Sequence, residues 1–250
     1  MLAASSEKAD EVNELSRAHT PPLNTLTDAE KAAGWQLLWD GKTTTGWRGV
    51  VSETFPEQYW EIADGVFTVH GINDPLSLGQ GNIITRERYS NFELVVEFKL
   101  TPGANSGIKY FVQPNLDPKN LTGSGPAIGC EFQLLDDERH PDAKLGRDAN
   151  RTLASLYDVL PSAPTKKPKP IGEWNTARIV VQGKYVEHWL NGQKVLEYER
   201  GSETFRAEVA RSKFQNIPGF GEWPEGHILL QEHGGRVHFR NLKIRVLPTE

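Results

Sequence analysis

The feature that most constrains this chain is a rhythm of short alternating stretches split by tight-turn dipeptides, sustained from Trp35 to Val246. In Phe92-Glu93-Leu94-Val95-Val96-Glu97-Phe98, residues 92, 94, 96 and 98 are apolar, as a strand with one face on a core requires. Trp60 to Ile62 and Val66 to Val69 flank Asp64-Gly65, and Tyr185 to Leu190 runs through Asn191-Gly192 into Lys194 to Tyr198. Asp-Gly and Asn-Gly accept the positive φ angles that two-residue hairpins need. Arg178 to Gln182 leads into Tyr185 through Gly183-Lys184, Asn82 to Thr85 is a short strand, and Ile108 to Val112 follows a Gly103–Gly107 turn. Ile228 to His233 is expected to pair with Val237 to Val246 across Gly234-Gly235. At least ten strands with few helices, and no βαβ rhythm of about 35 residues, predict an all-β antiparallel sandwich. No repeat at propeller or solenoid periods is present.

The ends and interruptions of this rhythm set the organisation. Residues 1–26 read as a flexible or helical tail: Ser5 to Ala18 is polar, and Thr20-Pro21-Pro22 breaks any helix there. Thr27-Asp28-Ala29-Glu30 is a capping box and predicts a short N-terminal helix over Asp28 to Ala33. Trp35 to Gly41 then reads as a strand ending in an Asp-Gly turn, and residues 27–250 as a single β domain. Pro161 to Pro170 holds four prolines and cannot be a central strand, and Gly201 to Gly226 is a polar Gly/Pro-rich excursion. A net charge of −5 excludes nucleic acid as the main partner. There is no apolar run of about 18 residues, so no membrane span is expected. Cys130, the single cysteine, excludes an internal disulfide and reads as a small buried residue. Met1 to Ala4 is too short for a signal peptide. Oligomeric state is not readable.

Chemistry-bearing residues concentrate in Gly129-Cys130-Glu131-Phe132-Gln133-Leu134-Leu135-Asp136-Asp137-Glu138-Arg139-His140. Glu131 and Gln133 share one strand face and Phe132 and Leu134 the other. Strict alternation sets Asp136 with Phe132; a β-bulge at Leu134–Leu135 would turn it beside Glu131. Other strands offer Gln231 and His233 on one face, His188 or Trp189 pointing away from the core, and Lys109 after Asn105-Ser106-Gly107. Tyr157 precedes the proline loop.

Taken together, Leu38-Trp39-Asp40-Gly41, Gly46-Trp47, Asn105-Ser106-Gly107-Ile108, Glu131 to Asp136 with His140, Leu156-Tyr157 and Gly172-Glu173-Trp174-Asn175 resemble the 3-keto-disaccharide hydrolase domain family. His188-Trp189-Leu190-Asn191-Gly192, Leu230 to Gly234 and Val237 to Leu242 continue the resemblance from about Trp35 to Val246. It implies a concanavalin A-like jelly-roll β-sandwich of two antiparallel sheets, a carbohydrate substrate, and a bacterial periplasmic or secreted location. Laminarinase-type glycoside hydrolases of the same fold class carry E-x-D-x-x-E on the catalytic strand. Here Gln133 replaces the middle acid, which argues against double displacement between two carboxylates.

The implied substrate is a glycoside oxidised at C3, whose ketone permits elimination across C1–C2 followed by hydration. Catalytic candidates are Glu131 or His140 as base, His233 and Lys109 polarising the ketone, and Asp136 as proton donor or as the group orienting His140. A divalent metal on Glu131 with His233 or Asp136 is the alternative Lewis acid, although no compact metal motif is present. Gln133, Asn105 and Gln231 would bond sugar hydroxyls, and His188, Tyr157 or Trp189 would present a ring or polar tip. A non-catalytic carbohydrate-binding module is the rival reading.

Overall fold

The structure, a computed structural model, describes residues 21–70, 80–114, 116 and 127–248. The tail stretch Ser5 to Ala18 lies outside the described residues. Thr27 caps helix α1 (Asp28–Ala32) as its sequence predicts: its hydroxyl accepts from Glu30 N, and the Glu30 carboxylate accepts from Thr27 N at 2.8 Å. Upstream, Asn24 exchanges backbone-to-side-chain bonds with Asn241 at 2.7 and 2.8 Å.

The strands are β1 (Gln36–Leu37), β2 (Trp47–Gly49), β3 (Trp60–Ala63), β4 (Val66–Val69), β5 (Ile83–Thr85), β6 (Phe92–Leu100) and β7 (Asn105–Gln113). After them come β8 (Ile128–Leu135), β9 (Asn175–Gln182), β10 (Tyr185–Leu190), β11 (Gln193–Glu199), β12 (His227–Leu230) and β13 (Val237–Val246). They form two antiparallel sheets, the jelly-roll sandwich. The larger sheet runs β11-β10-β9-β6-β13-β4-β3, with β1 also on β13, and the smaller runs β2-β5-β12-β7-β8. The dipeptides Asp64-Gly65 (φ 50° and 69°) and Asn191-Gly192 (φ 50° and 80°) make the expected tight turns.

Phe92, Leu94, Val96 and Phe98 face the smaller sheet and are fully buried. On the outer face of the larger sheet, Arg178 and Arg245 hold Glu93, and Arg240 holds Glu97 at 2.6 Å. Burying each large apolar side chain of the inner row contributes about 1.5–3 kcal/mol. Among the described residues no helix is long and apolar enough to cross a membrane.

Three expectations are corrected. β12 and β13 do not pair across Gly234-Gly235: β12 lies between β5 and β7, and β13 pairs with β6 and β4 in the other sheet. The link crosses between layers, and Gly235 passes so close to Ala104 that a Cβ would stand 2.7 Å from its Cα. There is also no bulge at Leu134–Leu135, because β7 and β8 pair regularly from Asn105↔Leu135 to Tyr110↔Cys130. The register shift falls later, where Phe111 adopts φ 55°. Finally, the 201–226 excursion contains helix α2 (Glu203–Ala210), capped by Ser202 and anchored by Phe205 stacked 5.6 Å from Tyr198.

Candidate functional site

The candidate site is built on β12, β7 and β8, on the face of the smaller sheet turned away from the core. Cys130, Phe132 and Leu134 point into the sandwich, so Glu131 and Gln133 point out. Pairing sets Leu229 beside Lys109 and Lys109 beside Glu131 in one row. The next row joins Gln231, whose N–H donates to Gly107 O at 3.0 Å, with Gly107 opposite Gln133. Asn105 opposite Leu135 makes a third row. Residues 154–157 run along the free edge of β8, with Ala154 N donating to Gln133 O at 2.8 Å and Tyr157 N to Glu131 O at 3.0 Å. Glu131 is therefore only 4% exposed and Gln133 1%.

Gly107 makes this geometry possible. A Cβ there would lie 2.2 Å from Glu131 Oε1, so the carboxylate occupies the space a side chain would fill. Lys109 Nζ stands 3.5 Å from Glu131 Oε2 and 3.4 Å from Ala127 O. The Gln133 amide suits its surroundings with Nε2 donating to Glu131 Oε1 and Ser106 O, each at 3.1 Å. The reverse orientation yields only a 3.2 Å bond to Asn105 and sets oxygen against oxygen. Gln231 Oε1 is buried without a hydrogen-bond partner among the described residues.

Asp136 is a turn-holding carboxylate in this fold, not a group turned beside Glu131. It accepts from Gly103 N at 2.8 Å, from Glu138 N and Arg139 N, and from the Arg139 guanidinium at 3.2 Å. Burial pushes its pKa up, but these backbone and guanidinium bonds prevail and hold it below the usual range. His140 caps the 3-10 turn Pro141–Lys144, its Nδ1 accepting from Asp142 N at 3.2 Å. The neutral ring therefore carries its proton on Nε2. Burial lowers its pKa, and His233 adds to that, against the opposing pull of Asp142 and Asp136. His233 itself is exposed, so the two imidazoles share the rim.

Tyr157 donates its hydroxyl to Asp142 Oδ2 at 2.8 Å. Burial, that bond and the charges of Asp142 and Glu131 raise its pKa far above an ordinary phenol. Arg151 bridges Asp142 at 2.9 Å and Asp158 at 2.6 Å. Lys213 stands over the Tyr157 ring, its Nζ 4.2 Å from the centroid, and burial pulls its pKa down to about 8.

Glu131, Lys109, Gln133, Asn105, Gln231 and Tyr157 thus share one face, with His140 and His233 at its rim. His188 and Trp189 are elsewhere. His188 is fully buried between the sheets, where Nε2 accepts from Tyr110 Oη at 2.8 Å and Nδ1 donates to Ala154 O at 2.9 Å. Trp189 lies on the outer face of the larger sheet, donating to Glu187 and covered by Arg178. Neither reaches a sugar bound over Glu131. Among the described residues no three His, Cys, Asp or Glu side chains are grouped to hold a metal ion. Asp136, named for that role from sequence, has its oxygens on the turn. Sequence reasoning missed Lys213, Arg151, Asp142 and Asp158. They come from loops, where no periodicity marks the direction of a side chain.

A cavity of about 480 Å³ opens at one end of the sandwich between Leu100, Leu135, Leu153 and Pro168 to Ile171. Its lining includes Asp136, Asp137 and Glu138 but not Glu131, Lys109 or Tyr157.

Residues 34–245 match the profile of the 3-keto-alpha-glucoside-1,2-lyase-like domain. A Bacteroides thetaiotaomicron protein named 3-keto-disaccharide hydrolase is 35% identical over an alignment of 271 residues, covering 98% of this chain and 91% of the relative. A crystal structure from Parabacteroides distasonis, provisionally named a glycosyl hydrolase, is 31% identical with a TM-score of 0.76, covering 90% of this chain and all of that one. A second structure from that organism, with the same provisional name, is 27% identical with a TM-score of 0.59 over 85% of this chain and 99% of its own. A family profile spanning most of the sandwich, and a relative matched almost end to end, place this chain in the 3-keto-alpha-glucoside-1,2-lyase-like domain family.

Proposed function

We propose that this protein cleaves glycosides oxidised at C3 of one sugar, by ketone-assisted elimination followed by hydration. A glycoside-processing hydrolase role accords with the family and with the name of its Bacteroides relative. One observation carries the finer reading: Glu131 is the one carboxylate that this strand turns toward the site, held between Lys109 and Gln133. Two residues along from Glu131 an amide, Gln133, replaces the middle acid of laminarinase-type strands, which weighs against double displacement. The neighbouring acids are engaged, Asp136 by its turn, Asp142 by Tyr157 and Arg151, and Asp158 by Arg151 and Lys213 N.

In this reading Glu131 removes the C2 proton. The C2–H electrons become the C2–C3 double bond, and the C3 oxygen takes up the charge. Return of that charge re-forms the ketone, shifts the double bond to C1–C2 and breaks the C1–O bond. The departing oxygen takes a proton from a water molecule, the hydroxide left adds to C1, and the proton held by Glu131 returns to C2, restoring the ketone and the carboxylate. His140, whose Nδ1 is taken up by Asp142 N, serves as a hydrogen-bond donor through Nε2 and not as base. Gln231 Oε1, an acceptor lacking a partner, suits a sugar hydroxyl.

The test is release of aglycone from a 3-keto-glucoside against the unoxidised glucoside. Turnover of the oxidised substrate alone is expected. Equal turnover of both would overturn the ketone-assisted route, and binding without product would favour the carbohydrate-binding module.

A further inference from the structure

The 201–226 excursion brings one cation to the site that the strands do not supply. Lys213 is held by its backbone, whose N–H donates to Asp158 Oδ2 at 2.7 Å while Asp158 Oδ1 accepts from Arg151 at 2.6 Å. Its ammonium is seated on aromatic faces, 4.2 Å from the Tyr157 centroid and 5.1 Å from that of Phe214. The neighbouring cations are matched to carboxylates. Arg151 pairs with Asp142 and Asp158, Arg147 and Arg211 with Glu208, and Lys109 with Glu131. Lys166, likewise half-buried, bonds Thr152, Leu153 O and Ser162 and pairs with Asp137 at 2.9 Å. No ion pair joins Lys213 to a carboxylate among the described residues. The charged groups facing it are Glu131 on β8, Lys109 on β7, and Arg151 and Asp158 beside the Tyr157 phenol.

A half-buried ammonium ion-paired to no carboxylate among the described residues, within electrostatic reach of the proposed base, is equipped for a negative charge that appears only during reaction. Resting on the reading above, we propose that Lys213 is a catalytic residue that donates a hydrogen bond to the C3 oxygen as the enolate forms. The C2 proton passes to Glu131, the electron pair moves to the C3 oxygen, and the ammonium stabilises that oxygen until the pair returns and expels the C1 oxygen. Lys109 is unsuited to this because its charge already serves Glu131, and His140 is a neutral donor at the rim. The ammonium must be protonated for the step, and burial holds its pKa near 8, so activity should fall above that pH.

The experiment compares wild type, Lys213→Met and Lys213→Arg in the full chain on a 3-keto-glucoside, with the unoxidised glucoside as control. Lys213→Met should lower kcat/KM at least about 100-fold, the scale of losing one oxyanion donor. Its melting temperature serves as the control for folding. Lys213→Arg should retain more activity and move the alkaline limb of the pH profile upward by at least one unit. Wild type selective for the ketone with Lys213→Met within threefold of it would overturn the role of Lys213 alone, as would an unmoved alkaline limb in Lys213→Arg. Equal wild-type turnover of both glucosides would overturn the C3 reading and this proposal together. If Lys213→Met does not fold, the pH limb of Lys213→Arg decides.

Discussion

Glu131 shows how much of a reactive group's behaviour is set by what lies directly under and beside it. Its carboxylate rests on a strand position without a side chain, next to one ammonium and one amide. Gln133 fixes the direction of the carboxylate, and Lys109 stands 3.5 Å from its other oxygen. Glu131→Gln keeps the shape and the contact with Gln133 but removes the proton acceptor. We expect kcat to fall by about 10²–10⁴, the contribution of a positioned general base, with the thermal midpoint nearly unchanged. Steady-state kinetics with a melting curve checks both. Asp136 makes the contrast, since its oxygens hold three donors of its own turn and Gly103 N from the β6–β7 connection, and its loss would act through folding.

Among the elements, the β7–β8 pair matters most. Its register is continuous from Asn105↔Leu135 to Tyr110↔Cys130, which keeps Lys109 and Glu131 abreast and Gly107 opposite Gln133. Gly107→Ala would place a methyl group where Oε1 now lies, forcing the carboxylate off its seat. Activity should drop at least tenfold while the fold survives, at a cost of about 1–3 kcal/mol for the overpacking. Kinetics and urea unfolding of that variant separate the two effects. Strand positions and hairpin turns were legible in the sequence because alternation and Asp-Gly or Asn-Gly pairs are local signals. Which strand lies beside which was not, and β12 and β13, adjacent in sequence, fall in different sheets. Glu131 and Gln133 could be assigned a common face from parity alone. His188 and Trp189 could not be told apart that way, because parity does not say which face is the core. The answer came from Tyr110 and Ala154, distant in sequence, whose oxygens satisfy the imidazole. Lys213 gave no signal at all, because its place depends on α2 and on Asp158 from another loop.

For the molecule as a whole, the buried polar line joining the two sheets has a measurable signature. Tyr198 and Tyr110 hydroxyls meet at 2.6 Å, and Tyr110 in turn bonds His188. Burial pulls the His188 pKa down to about 4 from an ordinary 6.5, against the weaker opposing effect of Ala154 O. Below pH 6.5 the unfolded chain binds a proton that the folded chain refuses, so stability falls as pH drops and levels off below about 4. At about 1.4 kcal/mol per pH unit this amounts to about 3 kcal/mol. His140, His227 and His238, also lowered, act in the same direction. Urea unfolding from pH 7 to pH 4 should show this slope, and His188→Asn should flatten it.

The strand that carries Gln231 toward Gly107 leaves the smaller sheet within a few residues and enters the larger one at Val237. The face of the candidate site is thereby stitched to the seam of the shell. Prising the layers apart by heat, acid or a cavity in the Phe92–Phe98 row would slacken that stitch first, so turnover would vanish ahead of the global melt.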